Sequence, residues 1–156
     1  MRFDFKKNTL ANVLVGIIIG SAIIFCISFL LRNDRTRRIF LFRTFDSEKI
    51  CFESRYLKKM SARSKDRDED VSLFIEDLLL GPFTNRYKSL FSMETRLEFC
   101  FSREKTLFVG LSAEALKPGN DNRDIKGSVE LLRENIVKNF TNFNKICIFI
   151  DGMQVL

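Results

Sequence analysis

Histidine and tryptophan are absent from this chain, and proline occurs only twice. Without histidine there is no Ser-His-Asp or Cys-His arrangement, no imidazole metal ligand and no side chain that ordinarily titrates near neutrality. The 4 cysteines contain no CxxC pair, so the usual spacing of a zinc ribbon or a dithiol redox site is missing. No glycine-rich phosphate loop and no GxSxG elbow occurs. The segment Asn120-Asp121-Asn122-Arg123-Asp124 lacks the glycine and the bidentate glutamate of a calcium loop. Catalytic, metal and cofactor residues are therefore all expected to be none.

What is present is apolar bulk and an uneven charge. Hydrophobic residues make up 46% and charged residues 29%, the balance of a folded chain rather than a disordered one. The formal charge is +6, but its placement matters more than its size. Residues 1–38 carry seven basic side chains against two acidic ones, whereas residues 39–156 carry 19 against 18. A nearly neutral main segment does not supply the basic face that phosphate contacts require, so no nucleic-acid partner is expected.

From Leu10 to Leu31 no residue is charged. As a helix this run would cover about 33 Å, against the ~30 Å of a bilayer's hydrocarbon core. The run is too long for a signal-peptide core, and no small-residue cleavage site follows it. The expectation is one uncleaved transmembrane helix, a signal anchor, over 10–31, with a short basic tail over 1–9 and an Arg-rich juxtamembrane linker over 32–38. Arg32, Arg35, Arg37 and Arg38 are the candidate contacts to anionic lipid. Both flanks of the run are basic, so charge alone leaves its orientation open. Gly16 and Gly20 form a GxxxG spacing that would let two helices approach closely.

Beyond residue 38 the patterning predicts a strand over 39–46 and a second over 50–57, joined as a hairpin. The polar run 58–70 reads as a solvated loop. Val71, Phe74, Ile75, Leu78 and Leu79 mark one face of a helix that Gly81-Pro82 stops. Leu97, Phe99 and Phe101 alternate with Arg96, Glu98 and Cys100, predicting a strand that pairs with another over 106–112. Ser128 caps a second helix carrying Val129, Leu132, Ile136 and Phe140, and a last strand over 145–150 runs into an Asp151-Gly152 turn. The order is ββαββαβ, an α+β domain with helices on one face of a mixed sheet.

This ordered set resembles the GerMN domain of bacterial sporulation, germination and envelope proteins. The residues that carry the resemblance are Glu53 and Arg55 on the second strand, the Leu78–Pro82 helix end with Gly81 and Pro82, and Leu111-Ser112. Gly127, the stretch from Ile136 to Phe143 and the last strand with Asp151 and Gly152 complete it. The chain departs from the pattern at Asn139, where a threonine is expected, and at Phe91-Ser92-Met93, which lacks the usual proline. The resemblance covers most of 39–154. It implies a ring-building-motif-like domain over 39–156, facing the periplasm from the cytoplasmic membrane and acting as a non-enzymatic interaction or assembly module. Envelope or assembly proteins and a homo-oligomer are the implied partners. The literal charge count supports an alternative: a cytoplasm-facing, membrane-tethered regulatory domain that uses its arginines on lipid or a partner protein.

Two side-chain readings complete the expectations. Glu53 and Arg55 lie two apart on one strand face and read as a structural ion pair. The chain holds 17 phenylalanines, and Phe83 and Phe91, outside the periodic elements, are the candidate exposed contact patch.

Overall fold

The computed structural model describes residues 4–30, 35–46, 49–58, 64–117 and 124–155. The chain divides into two compact units, Met1–Asp34 and Arg35–Leu156. The first holds one helix, α1 (Asp4–Leu30). The expected transmembrane helix over 10–31 is corrected here: among the described residues, no helix is long and apolar enough to cross a membrane.

In the second unit, β1 (Arg35–Thr44) and β2 (Ile50–Lys58) form an antiparallel hairpin with Phe40 opposite Glu53 and Leu41 opposite Phe52. The strand thus begins at Arg35 and takes in most of the expected linker. Helix α2 (Ser64–Leu79) follows, then the short β3 (Tyr87–Lys88), β4 (Leu97–Arg103) and β5 (Thr106–Leu111). A 3-10 turn (Ala113–Leu116) precedes α3 (Ile125–Asn139), β6 (Lys145–Ile150) and β7 (Met153–Gln154). Asp151 and Gly152 both have positive φ, 51° and 72°, the pairing that closes a tight two-residue hairpin between β6 and β7.

Two features depart from the expected layout. Residues 64–70, expected as loop, are helical. Lys65, Arg67 and Glu69 are good helix formers, and Asp68 accepts bonds from the Ser102 N–H (3.0 Å) and hydroxyl (2.6 Å), tying this turn to β4. The strands also form two hydrogen-bonded sheets, β2-β1-β3 and β4-β5-β6-β7, where one mixed sheet was expected. Only the second is mixed, through the parallel pair β5–β6.

Side-chain amides from α3 explain where the first sheet stops. Asn135 Oδ1 accepts from the Leu41 N–H at 2.7 Å and its amide donates to the Leu41 carbonyl at 3.1 Å. One turn later Asn139 does the same for Ile39, at 2.9 Å and 2.6 Å. Two asparagines four apart share one helix face, so they occupy the main-chain groups of β1 that a neighbouring strand would have used. Asn139, the departure from the family pattern, is half of this ladder.

The core lies between these layers. Phe40, Phe42, Val71, Phe74, Ile75 and Leu78 are fully buried, as are Leu107, Leu111, Leu132, Ile136 and Ile148. Phe74 links hairpin and α3, with its ring 4.7 Å from Phe40 and edge-on to Phe140 at 5.4 Å. Each such side chain contributes about 1.5–3 kcal/mol through removal from water.

Candidate interaction surface

The residues singled out from the sequence fall into three places. The first is centred on Arg55, which is 5% exposed despite its permanent charge. Its Nε donates to Glu53 Oε1 (3.2 Å), its Nη1 to Asp77 Oδ2 (2.9 Å) and the Asp77 carbonyl (3.1 Å), and its Nη2 to the Gly81 carbonyl (2.7 Å). Glu53 in turn accepts from the Phe83 N–H at 3.3 Å. The guanidinium lies 3.9 Å from the Phe83 ring centroid and 4.6 Å from that of Phe40. One side chain therefore fastens β2 to the end of α2 and to the following loop. Gly81 makes that loop possible: its φ of +87° ends the helix in a conformation costly for any side chain, and Pro82 blocks continuation.

Phe83 is 76% exposed, one ring face on Arg55 and the rest open. Phe91 is not its companion. It is 6% exposed and belongs to the core with Leu90, so the expected Phe83–Phe91 patch is corrected to Phe83 alone.

The second place is the start of α3. Asp124 Oδ1 accepts from the Gly127 N–H at 2.9 Å, and its Oδ2 meets Arg43 at 3.4 Å. The Gly127 amide, then Arg43, hold the Asp124 carboxyl below the usual aspartate range. A Cβ on Gly127 would run into the Asp124 carboxylate and the Arg43 guanidinium, which accounts for glycine there.

Third are the juxtamembrane arginines. Arg32 lies outside the described residues, while Arg35, Arg37 and Arg38 sit on β1. Arg38 donates to the Asn139 carbonyl at 2.7 Å and stacks on Phe140 at 4.1 Å, and Arg37 donates to the Ser54 hydroxyl at 3.3 Å. Two of these cations are thus engaged by the domain itself, which weakens the lipid-contact reading.

A further exposed apolar surface, apart from Phe83, is the outer face of the second sheet. Phe99 and Phe101 of β4, Phe108 of β5 and Phe149 of β6 share that face, since Phe101 pairs with Phe108 and Gly110 lies between Phe99 and Phe149. Ring centroids are 5.8 Å apart for Phe99–Phe101, 5.1 Å for Phe101–Phe108 and 5.9 Å for Phe99–Phe149. Gly110 leaves the space in which the Phe99 ring rests, where a Cβ would collide with it. Phe101 is 47% exposed and the other three are half-buried. The result is a contiguous aromatic face, with the exposed Arg103 and Lys145 near one end.

The alternation in β4 sets Phe99 and Phe101 in phase with Leu97. A register irregularity between Leu97 and Phe99 inverts that phase. Leu97 and Cys100 pack against the core, three positions apart, while the two phenylalanines turn outward. The signal in the sequence was on the partner strands, where Phe108 and Phe149 are out of phase with Leu107, Val109, Ile148 and Ile150.

Other chemistry-bearing groups are occupied in structural ways. Burial pushes the Cys100 thiol up to about 11, far from a reactive thiolate at neutral pH. Cys147 is buried, and all four cysteines are free thiols. Among the described residues no three His, Cys, Asp or Glu side chains converge as a metal site.

No protein-family model matches the sequence. An uncharacterized lipoprotein of Treponema pallidum (strain Nichols) is 30% identical over 78 residues, covering 50% of this chain and 58% of that protein. The match thus spans a little over half the length of the relative. The structure of the tandem GerMN domains of the sporulation protein GerM from Bacillus subtilis superposes with a TM-score of 0.54 at 10% identity, covering 78% of this chain and 41% of that one. The first GerMN domain of the same protein gives a TM-score of 0.48 at 10% identity over 75% of this chain and 85% of that one. Built from an Arg-fastened hairpin, two helices and a mixed second sheet, the chain has a GerMN-like fold.

Proposed function

We propose that this chain is a non-catalytic interaction domain of the bacterial cell envelope, exposed outside the cytoplasm, and that it binds a protein partner through the Phe99–Phe101–Phe108–Phe149 face. The four-ring face carries the reading. Contiguous apolar surface is disfavoured on a domain that has no partner, and phenylalanines held by neighbours lose little side-chain freedom on binding. The lipoprotein relative supports the envelope assignment. The non-catalytic reading draws on the absence of histidine and on the structural employment of Arg55, Glu53 and Asp77.

A photo-crosslinking side chain at position 101 tests this in cells. The expected result is a discrete adduct with an envelope protein, lost when the same probe sits at exposed Glu130 on α3, together with protease access to the domain in spheroplasts. Adducts of equal yield from both positions, or protection from protease, would overturn the reading.

A further inference from the structure

The first sheet ends on one side in a long open strand. β2 is hydrogen-bonded to β1 and, among the described residues, to no strand beyond it. Ile39 and Leu41 present their main-chain groups to Asn139 and Asn135, on the side of β1 away from β2, so Phe40 and Phe42 face β2. Their partners Glu53 and Cys51 therefore face back toward β1, and Phe52, Ser54 and Tyr56 direct N–H and C=O outward. The side chains of Ile50, Phe52 and Tyr56 are 51%, 67% and 66% exposed on one face. No proline interrupts this edge, and its only lysine is at the end, Lys58.

We propose that the occupant of this edge is a second copy of the same chain, paired β2 to β2 antiparallel about a two-fold axis at Ser54. The strand is self-complementary about that residue. Phe52 falls opposite Tyr56 of the second copy, giving two symmetric aromatic pairs. Glu53 falls opposite Arg55, so within the strand no like charges are set against each other. Cys51 meets Leu57, and Ile50 meets the aliphatic stem of Lys58. The outward main-chain groups of Phe52, Ser54 and Tyr56 coincide in phase, because both members of each of these pairs point into the seam. Moving the axis to Phe52 would replace the two Phe52–Tyr56 pairs by a single Phe52–Phe52 pair and set Ile50 against Ser54. The contact is isologous and closes at two copies, joining the two β2-β1-β3 sheets into one six-stranded sheet. It uses a different surface from the phenylalanine face and stands or falls without it.

Ser54 is the one residue that this register places opposite itself, and its side chain is exposed. Sedimentation velocity on the full chain, in a non-ionic detergent that covers the apolar side chains of α1, should show a dimer that dissociates on dilution. Ser54→Lys and Ser54→Glu should each self-associate roughly five- to tenfold more weakly, since each sets like charges face to face. An equimolar mixture of the two should recover the dimer. Thermal melts of both variants monitor folding, and Tyr56→Thr, which removes the aromatic pair but keeps a strand former, carries the same expectation of weakened association. A wild-type monomer at all concentrations, variants that dimerise like wild type, or a mixture that does not recover would each overturn the proposal. Association through α1 would appear as indifference to Ser54.

Discussion

Arg55 and Phe101 place opposite kinds of side chain where each is least at ease. Arg55 buries a permanent charge to 5% exposure, and each of its three nitrogens donates within the chain, to Glu53, Asp77 or the Gly81 carbonyl. Phe101 leaves an apolar ring 47% exposed, with the rings of Phe99 and Phe108 beside it. A buried cation with every nitrogen engaged in its own chain is turned inward, and its place is the integrity of the hairpin–helix junction. An exposed ring stacked on other rings is poorly bonded within its own chain. The contrast separates the residues that hold this fold from those that give it a surface to use.

The largest expected effect comes from breaking the first of these regions. Arg55→Ala leaves the Glu53 and Asp77 carboxylates without their cation in a partly buried site, and such losses cost about 3–5 kcal/mol. Urea unfolding followed by circular dichroism should show it as a lower midpoint with an unchanged slope. Replacement by methionine should recover part of the loss, because it restores packing against Phe40 and Phe83 but none of the charge.

An intermediate effect is expected where α3 substitutes for a strand. Asn135→Leu removes both bonds to Leu41 and leaves a buried N–H and C=O unpaired, a cost of about 1–3 kcal/mol for each unsatisfied group. Amide exchange at Leu41 should accelerate more than exchange in the second sheet, which sharpens the view that the asparagine ladder serves the first sheet alone.

The smallest effect concerns pH. Asp124 is exposed, and its carboxyl is held below the usual range by the Gly127 amide and then Arg43. A depressed folded pKa gives stability that is present above the unfolded value and lost as pH falls through the folded one. Asp124→Asn keeps the capping oxygen but cannot titrate. Its stability deficit relative to wild type should be constant at neutral pH and shrink below about pH 4.

Much of the second unit could be read from periodicity. The hairpin of β1 and β2, the face of α2 marked by Val71, Phe74, Ile75 and Leu78, its stop at Gly81-Pro82 and the Asp151-Gly152 turn all follow from local chemistry. What escaped was set by non-local geometry. The irregularity between Leu97 and Phe99 reverses which side of β4 is buried, and a single residue's shift leaves no mark in a pattern of alternating apolar residues. The division into two sheets depends on Asn135 and Asn139 meeting a strand nearly a hundred positions earlier, while each is an unremarkable polar residue on its own helix. Phe91 lies outside any periodic element yet fills the core, because burial in a loop follows from where the loop lands.

The phenylalanine face is proposed as a surface for binding rather than for stability. The direct measurement is Phe101→Ser in the full chain, compared with wild type both in unfolding free energy and in the yield of envelope-protein crosslinks from a probe at neighbouring Arg103. The expected result is a stability change of about 1 kcal/mol or less, as for a half-exposed side chain, with crosslinking largely lost. A large loss of stability, or crosslinking that persists at the wild-type yield, would contradict it.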